Sequence, residues 1–382
     1  MPWRATDAQQ ERLRFIAQWE TGVYGKSELC ARFGVSRPTG DALLERWAAE
    51  GAAGLKDRSR APKHSPQRIA PEVVEILIQA RLAHPTWGPR KIRVWLKERM
   101  PELELPSAST IGELYAQAGL VERRQRQRRW RHPGRSTVAA QSPNDVWTTD
   151  YKGEFRTRDG RYCYPLTVAD AQTRFLLAVE GLASIGQQGA LDTFERLFRE
   201  YGLPRAIRSD NGSPFCSKAI AGLSQLSVWW TQLGIEHDRI APGRPEQNGA
   251  HERMHRTLKQ ATLRPPASDH AEQQSRFDAF RVEFNRERPH EALAMATPGA
   301  LYTSSPRRLP ERIEPPSYPG HFRVRRLRGN GMLYFRDHAF FVSGLLIGED
   351  LGLEEVDDGV WSIYYYDLLL ARLDERKWTL SG

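Results

Sequence analysis

The sequence predicts a multidomain chain. It has an α-helical front, an α/β core on a mixed five-stranded sheet with helices, and a small all-β tail. Three observations predict this. Apolar residues recur at helical spacing through the first 120 positions. From residue 143 the pattern changes to strand runs of β-branched and aromatic residues, then alternates helix and strand. From residue 320 short strand runs follow one another with no helical period between them.

In residues 7–20, Leu13, Ile16 and Trp19 stand at helical spacing. Ser27 is expected to cap a second helix, Glu28–Phe33, Gly34 to make a turn, and Ser36 to cap a third helix through Trp47. Helix, Gly-containing turn, helix is the spacing of a helix-turn-helix, although a plain three-helix bundle reads the same way. On the first reading Arg37, Thr39, Gly40 and Arg46 face a major groove, while Leu43, Leu44 and Trp47 face the core. Residues 1–55 are thus expected to form one DNA-binding domain. Residues 56–68 form a basic linker whose Arg58 and Arg60 track phosphates or lie in a minor groove.

A second helix-turn-helix is expected over 69–120. Pro71 and Pro89 suit first-turn positions of two helices. Thr110 and Glu113 form a capping box for a third, Ile111–Ala118. Residues 121–142 are an arginine-rich linker. Within it VERRQRQRRWRHPGR carries seven arginines and one acid. Such a run is often only a solvated tail. Between two DNA-reading units and a third domain, Arg123, Arg124, Arg126, Arg128, Arg129 and Arg131 are expected on DNA phosphates.

The core spans 143–302. Its first strands are Val146–Tyr151, Tyr162–Asp170 and Thr173–Glu180, joined by an Asp159-Gly160 hairpin and a short polar turn. Helix Gln187–Tyr201, strand Arg205–Asp210, a helix near Lys218–Leu233 and strand Ile235–Ile240 follow, then helices Ala250–Leu263 and roughly 270–287. That order is the one expected of a ribonuclease-H-like fold. Residues 303–319 are a linker, and 320–382 are expected to close into a small SH3-like β-barrel.

The chain has 382 residues and a net charge of +9. Residues 1–140 hold 25 Lys and Arg against 15 Asp and Glu, and residues 141–382 hold 31 against 32. The basic excess lies in the front, as expected of a polyanion-gripping segment ahead of a working one. Cys30, Cys163 and Cys216 are too few and too far apart for a disulfide framework or a Cys-based zinc site, and fit a reducing cytoplasm. No apolar run approaches the roughly 20 residues a membrane span needs, and MPWRATDAQQ has no signal-peptide core, so no membrane partner is expected.

Three acids carry the chemistry. Asp150 ends the strand run of WTTDYKG, Asp210 ends another in IRSDNGSPF, and Glu252 opens the helix of GRPEQNGAHERMHRTLK. Two strand ends and one helix can bring three carboxylates into an all-oxygen cage suited to Mg²⁺ or Mn²⁺, cations that activate water and neutralise phosphate charge. Glu252, Arg256 and Lys259 are four and seven residues apart and share a helical face, so one face can hold a metal and the DNA backbone together. Glu246 is the competing acid, with 35 residues between it and Asp210 against 41 for Glu252. It lies between Pro245 and Gln247 with no such face.

The motifs WTTDYKG, RSDNGSPF, PEQNGAHERMHRTLK and FNRERPHEAL resemble the catalytic core of the retroviral-integrase superfamily, and within it the bacterial insertion-sequence DDE transposases. The resemblance covers about 143–303 and extends in outline to both flanks. In that family the catalytic Glu follows an Asn-Gly or Gln-Gly pair by three positions, which selects Glu252. The resemblance implies that Asp150 bridges two Mg²⁺ ions about 3.5–4 Å apart, with Asp210 on one and Glu252 on the other. It implies contact of Gln247, Asn248 and His251 with the DNA end. It further implies a transposase that frees 3′-OH ends at the terminal inverted repeats of its element and joins them to target DNA. A dimer or tetramer would pair the ends, in a bacterial, nucleoid-associated setting. The zinc domain that fronts retroviral integrases has no counterpart spacing here, so zinc is not implied. An inactive DNA-binding regulator and a metal nuclease that cuts without joining are the alternatives.

Overall fold

The structure, a computed structural model, describes residues 8–57, 69–121, 138–217, 219–240 and 249–381. The chain divides into two compact units, Met1–Arg68 and Ile69–Gly382.

The first unit holds α1 (Ala8–Glu20), α2 (Lys26–Arg32), α3 (Arg37–Glu50) and a 3-10 turn, Gly51–Leu55. Phe15, Ile16, Leu29, Cys30, Leu43 and Leu55 form its core. Ser36 caps α3 as its sequence position predicts, accepting from Thr39 N. Ser27 does not cap α2, because the helix already begins at Lys26 behind Gly25. Arg37 and Thr39 are exposed at the start of α3. Gly40 and Arg46 have roles within the fold. Gly40 is buried, and a Cβ there would collide with Cys30 Sγ and crowd Phe15, so the glycine lets α3 pack closely. Arg46 Nη2 donates to Lys56 O at 2.6 Å and ties down the segment after the 3-10 turn.

The second unit opens with α4 (Pro71–Ala83), α5 (Pro89–Arg99) and α6 (Ala108–Gln117). Each proline occupies a first turn, where a missing N–H costs nothing. The cap of α6 is Ser107, which accepts from Thr110 N at 3.2 Å. The helix therefore starts three residues before the expected Ile111, and Thr110 lies within it. Trp87, Leu77, Ile92, Leu96, Ile111 and Tyr115 pack together, and Tyr115 Oη donates to Leu77 O.

The core sheet is built from β1 (Val146–Tyr151), the short β2 (Phe155–Arg156), β3 (Tyr162–Asp170), β4 (Leu176–Leu182), β5 (Ala206–Ser209) and β6 (Glu236–Arg239). Five strands run in the order β4-β3-β1-β5-β6, and β2 extends the β3 side. β4, β3 and β1 pair antiparallel, whereas β1–β5 and β5–β6 pair parallel. This is the mixed five-stranded sheet that the sequence predicts, with one short strand added. α7 (Gln187–Tyr201) and α8 (Gln225–Gln232) serve the aromatic cluster of Trp147, Phe194, Phe198, Phe215 and Trp230. α9 (Gly249–Thr262) and α10 (His270–Arg286) bring Met254, Leu258, Phe277, Phe280 and Phe284 against β3 and β4. The short α11 (Pro298–Leu301) follows. The second helical trio is tied to α10 and its following loop: Trp87 Nε1 donates to Glu283 at 3.0 Å, and Arg288 to Thr86 at 3.0 Å.

The tail is all-β, but the expected closed barrel is not what forms. β7 (Arg323–Arg326), β10 (Asp350–Asp357), β11 (Val360–Tyr365), β12 (Leu368–Asp374) and β13 (Thr379–Ser381) make an open sheet in the order β13-β12-β11-β10-β7. β8 (Met332–Phe335) and β9 (His338–Phe341) form a separate hairpin. Leu333 and Phe335 of that hairpin share a core with Leu351, Leu353, Trp361 and Ile363 of the sheet. Packing, not strand pairing, completes the layer. Leu223 and Val228 enter the same core, and Gln232 Nε2 donates to Tyr365 Oη, so the tail is docked on the α/β domain.

Candidate active site

Parallel pairing sets Asp150 beside Asp210. The register runs Val146 with Ala206, Trp147 with Ile207 and Thr148 with Arg208. Two residues further along both chains stand Asp150 and Asp210. β-branched and aromatic residues hold β1 in the sheet, with Trp147 fully buried and donating from Nε1 to Asn144. β5 is held by the buried ion pair of Arg208 with Asp238 on β6, at 2.7 Å. The Asn-Gly turn after β5 folds Asp210 back, with Oδ1 accepting from Gly212 N at 3.1 Å, and Asn211 Nδ2 donates to Ile240 O.

Glu252 lies in the first turn of α9 and is exposed, as are Arg256 and Lys259 on the same face. The adjoining face of α9 is buried and carries His251, Met254, His255 and Leu258. The expected contact of His251 with a DNA end is therefore overturned: the side chain is 3% exposed and lies under the helix. Its Nε2 is 2.6 Å from Thr167 Oγ1 and its Nδ1 is 2.9 Å from Thr148 Oγ1. His255 Nε2 also reaches Thr167 Oγ1, at 2.7 Å. Thr167 Oγ1 also donates to Asp150 O, and Thr148 Oγ1 to Ala169 O, so each hydroxyl links the rings to the backbone of β1 or β3. Burial drives both imidazoles down, His251 to about 3 and His255 to about 2, with His251 and Lys152 adding to the effect at His255. Both are neutral near pH 7. This histidine–threonine knot fastens α9 to β1 and β3 beneath Asp150. The spacing of four between His251 and His255, on the face beside that of Glu252, is the sequence signal that would have found it.

Asp150 is pushed up to about 7. Burial is the largest cause, and the charge of Asp210 comes next. A hydrogen bond from the Tyr151 backbone opposes them, and Glu252 adds a further upward push. All three acids thus act on one locality. Among the described residues no three acidic, histidine or cysteine side chains enclose a possible ion. The donor set itself, three carboxylates with no cation paired to Asp150 or Asp210 in hydrogen-bond geometry, suits a hard divalent ion.

The remaining expected DNA contacts divide. Arg37, Thr39, Arg256 and Lys259 are at the surface. Arg58, Arg60, Arg123, Arg124, Arg126, Arg128, Arg129, Arg131, Gln247 and Asn248 lie outside the described residues, as does Glu246. His237 is held by Ser209 Oγ at 2.8 Å, and Arg288 is buried.

Residues 140–245 and 233–298 each match an integrase core domain, residues 11–63 a helix-turn-helix domain and residues 39–115 a homeodomain-like domain. Over 246 residues the chain is 29% identical to the insertion element IS407 uncharacterized 31.7 kDa protein of Burkholderia multivorans, covering 62% of this chain and 81% of the relative. Over 265 residues it is 28% identical to the insertion element IS476 uncharacterized 39.2 kDa protein of Xanthomonas euvesicatoria, covering 67% and 71%. Among solved structures, the simian T-cell lymphotropic virus intasome in complex with PP2A regulatory subunit B56 gamma aligns over 77% of this chain and 97% of its own, at 15% identity and a TM-score of 0.38. Residues 140–298 thus carry an integrase core domain behind helix-turn-helix domains, and the chain is similar to insertion-element proteins.

Proposed function

We infer that this protein is a DNA transposase that cleaves phosphodiester bonds at the ends of its own mobile element and joins the freed 3′ ends to target DNA. The observation that carries this reading is the pairing of β1 with β5, which sets Asp150 beside Asp210 while α9 presents Glu252 to the same locality. The integrase core domain and the helix-turn-helix front support DNA as the substrate.

Asp150, Asp210 and Glu252 would hold Mg²⁺ or Mn²⁺, two ions per site. The ions would lower the pKa of an attacking water or 3′-OH and offset charge on the phosphate and leaving oxygen. The chain's own residues do the positioning. Buried β1 and β5 fix two carboxylates, and the neutral histidine–threonine knot fixes the helix that carries the third. Arg256 and Lys259 lie one and two turns behind Glu252 and would grip the strand beside the reacting bond. Arg37 and Thr39 at the start of α3 would read base edges in a major groove. Arg58, Arg60 and the arginines of 123–131 would follow the phosphates. Gln247 and Asn248 would meet the DNA end. A homo-oligomer would hold two ends together.

The experiment incubates the full chain with Mg²⁺, labelled element-end DNA and a plasmid. Joined product is expected. Cleavage without joining would make the protein a nuclease, and a gel shift without cleavage would make it a DNA-binding regulator.

A further inference from the structure

A second cationic site lies where net charge gives no hint of one. A cleft of about 360 Å³ is bounded by α5, the β3–β4 turn, α9 and the loop after α10. Lys91, Arg174, Arg253 and Arg288 line it, one from each of those elements. The side chains of Lys91, Arg174 and Arg253 make no ion pair or hydrogen bond to the described residues. Arg288 donates to a neutral hydroxyl, Thr86 Oγ1. The acids in the lining do not balance them. Asp170 is buried and committed to Asn144 N, Thr173 N and Thr173 Oγ1, at 2.8, 2.7 and 2.7 Å. Glu291 is exposed at the rim.

The cations act on one another. Lys91 is brought down to about 8, by burial first and by Arg288 second. Arg174 is lowered by burial first and by Arg253 second. Glu291 acts upward on Lys91, Asp170 on Arg174 and Glu283 on Arg288, yet all three stay lowered on balance, so an anion in the cleft would be favourable. His290, also in the lining, is lowered to about 3 by burial first, with Lys91, Arg288 and Arg174 adding to the effect, so the cations converge on one space. An oxyanion among the four cations would offset their mutual repulsion. Thr148 and His251 in the wall also underlie the acid site, and Arg253 follows Glu252 directly on α9.

We propose that this cleft binds a phosphate oxyanion of the nucleic-acid strand whose neighbouring phosphodiester lies at Asp150, Asp210 and Glu252. The identity of the strand as DNA substrate rests on the proposed function, but the oxyanion site does not.

The test uses the full chain and the variants Lys91→Gln, Arg174→Gln and Arg253→Gln. Arg253 is exposed, so its substitution should fold normally, as circular dichroism would verify. Affinity for a labelled single strand of roughly ten nucleotides is measured across salt concentrations. Each variant is expected to weaken binding about three- to tenfold and to reduce the slope of log K against log salt by about 0.7. Arg253→Lys should restore most of that slope. Inorganic phosphate, titrated alone, separates the sources. If phosphate raises the melting temperature of the wild type but not of Arg174→Gln, and the strand slopes are unchanged, the cleft takes free phosphate and the strand assignment fails. Unchanged strand affinity in all three variants, with no phosphate response, would overturn the oxyanion site itself. Absence of metal-dependent cleavage in the wild type would defeat the proposed function and leave a reduced salt slope in the variants standing.

Discussion

His255 places its Nδ1 3.8 Å from Asp150 Oδ2, yet the two are not an ion pair. The imidazole is neutral near pH 7, because burial has driven its pKa down to about 2. The ring therefore does not compensate the negative charge at Asp150, which Asp210 and Glu252 repel and which Lys152 offsets only in part.

Removing that charge should stabilise the metal-free protein. The Asp150 carboxyl lies at about 7 in the fold against 3.8 ordinarily. A raised acid contributes stability that is full below pH 4 and is lost as pH rises through 7. At about 1.36 kcal/mol per unit, Asp150→Asn is expected to gain roughly 2–4 kcal/mol near pH 8 without metal and little at pH 4. Chemical denaturation at both pH values measures it. Equal effects at the two would contradict the electrostatic origin.

The histidine–threonine knot should fail on the acid side. His251 and His255 have folded pKa values far below the usual 6.5, so their contribution is present above pH 6.5 and lost as pH falls toward about 3 and 2. In the Asp150→Asn background, stability should fall from pH 7 to pH 5. Adding His251→Asn should cost about 1–3 kcal/mol at pH 7 through lost buried hydrogen bonds, and should reduce that acid slope without abolishing it, since His255 remains.

The buried pair of Arg208 and Asp238 is expected to secure the strand that presents Asp210. The side chains are 9% and 4% exposed and 2.7 Å apart. Asp238→Ala leaves a buried guanidinium unpaired and should destabilise by about 3–5 kcal/mol. A loss below 1 kcal/mol in denaturant titration would show that the pair is dispensable.

Binding and chemistry should separate. Asp210→Asn should abolish cleavage and leave element-end binding nearly unchanged in a gel shift, because Asp210 is not among the residues proposed to grip DNA. Glu252→Gln should be inactive and Glu246→Gln active in the joining assay. The reverse pair of results would transfer the third carboxylate to Glu246.

The strands of the core were legible because each is a run of β-branched and aromatic residues ended by turn chemistry. Asp150 and Asp210 were legible as strand ends for the same reason. The face of Glu252, Arg256 and Lys259 followed from helical spacing alone. Three features were not legible. His251 reads as a loop-edge polar residue until the buried face of α9 is known, since its partners Thr148 and Thr167 are 103 and 84 residues away. The tail's alternating strands specify sheet, but whether the ends meet depends on pairing that the pattern does not encode, and β8–β9 pair with each other instead. The cationic cleft was hidden because its four cations lie on four separate elements far apart in the sequence.

Binding of Mn²⁺ to the full chain, followed by water-proton relaxation, tests the shared carboxylate site most directly. Wild type should bind, and Asp150→Asn, Asp210→Asn and Glu252→Gln should each lose at least about tenfold in affinity. Three variants that take up manganese as wild type does would show that these acids do not share a cation.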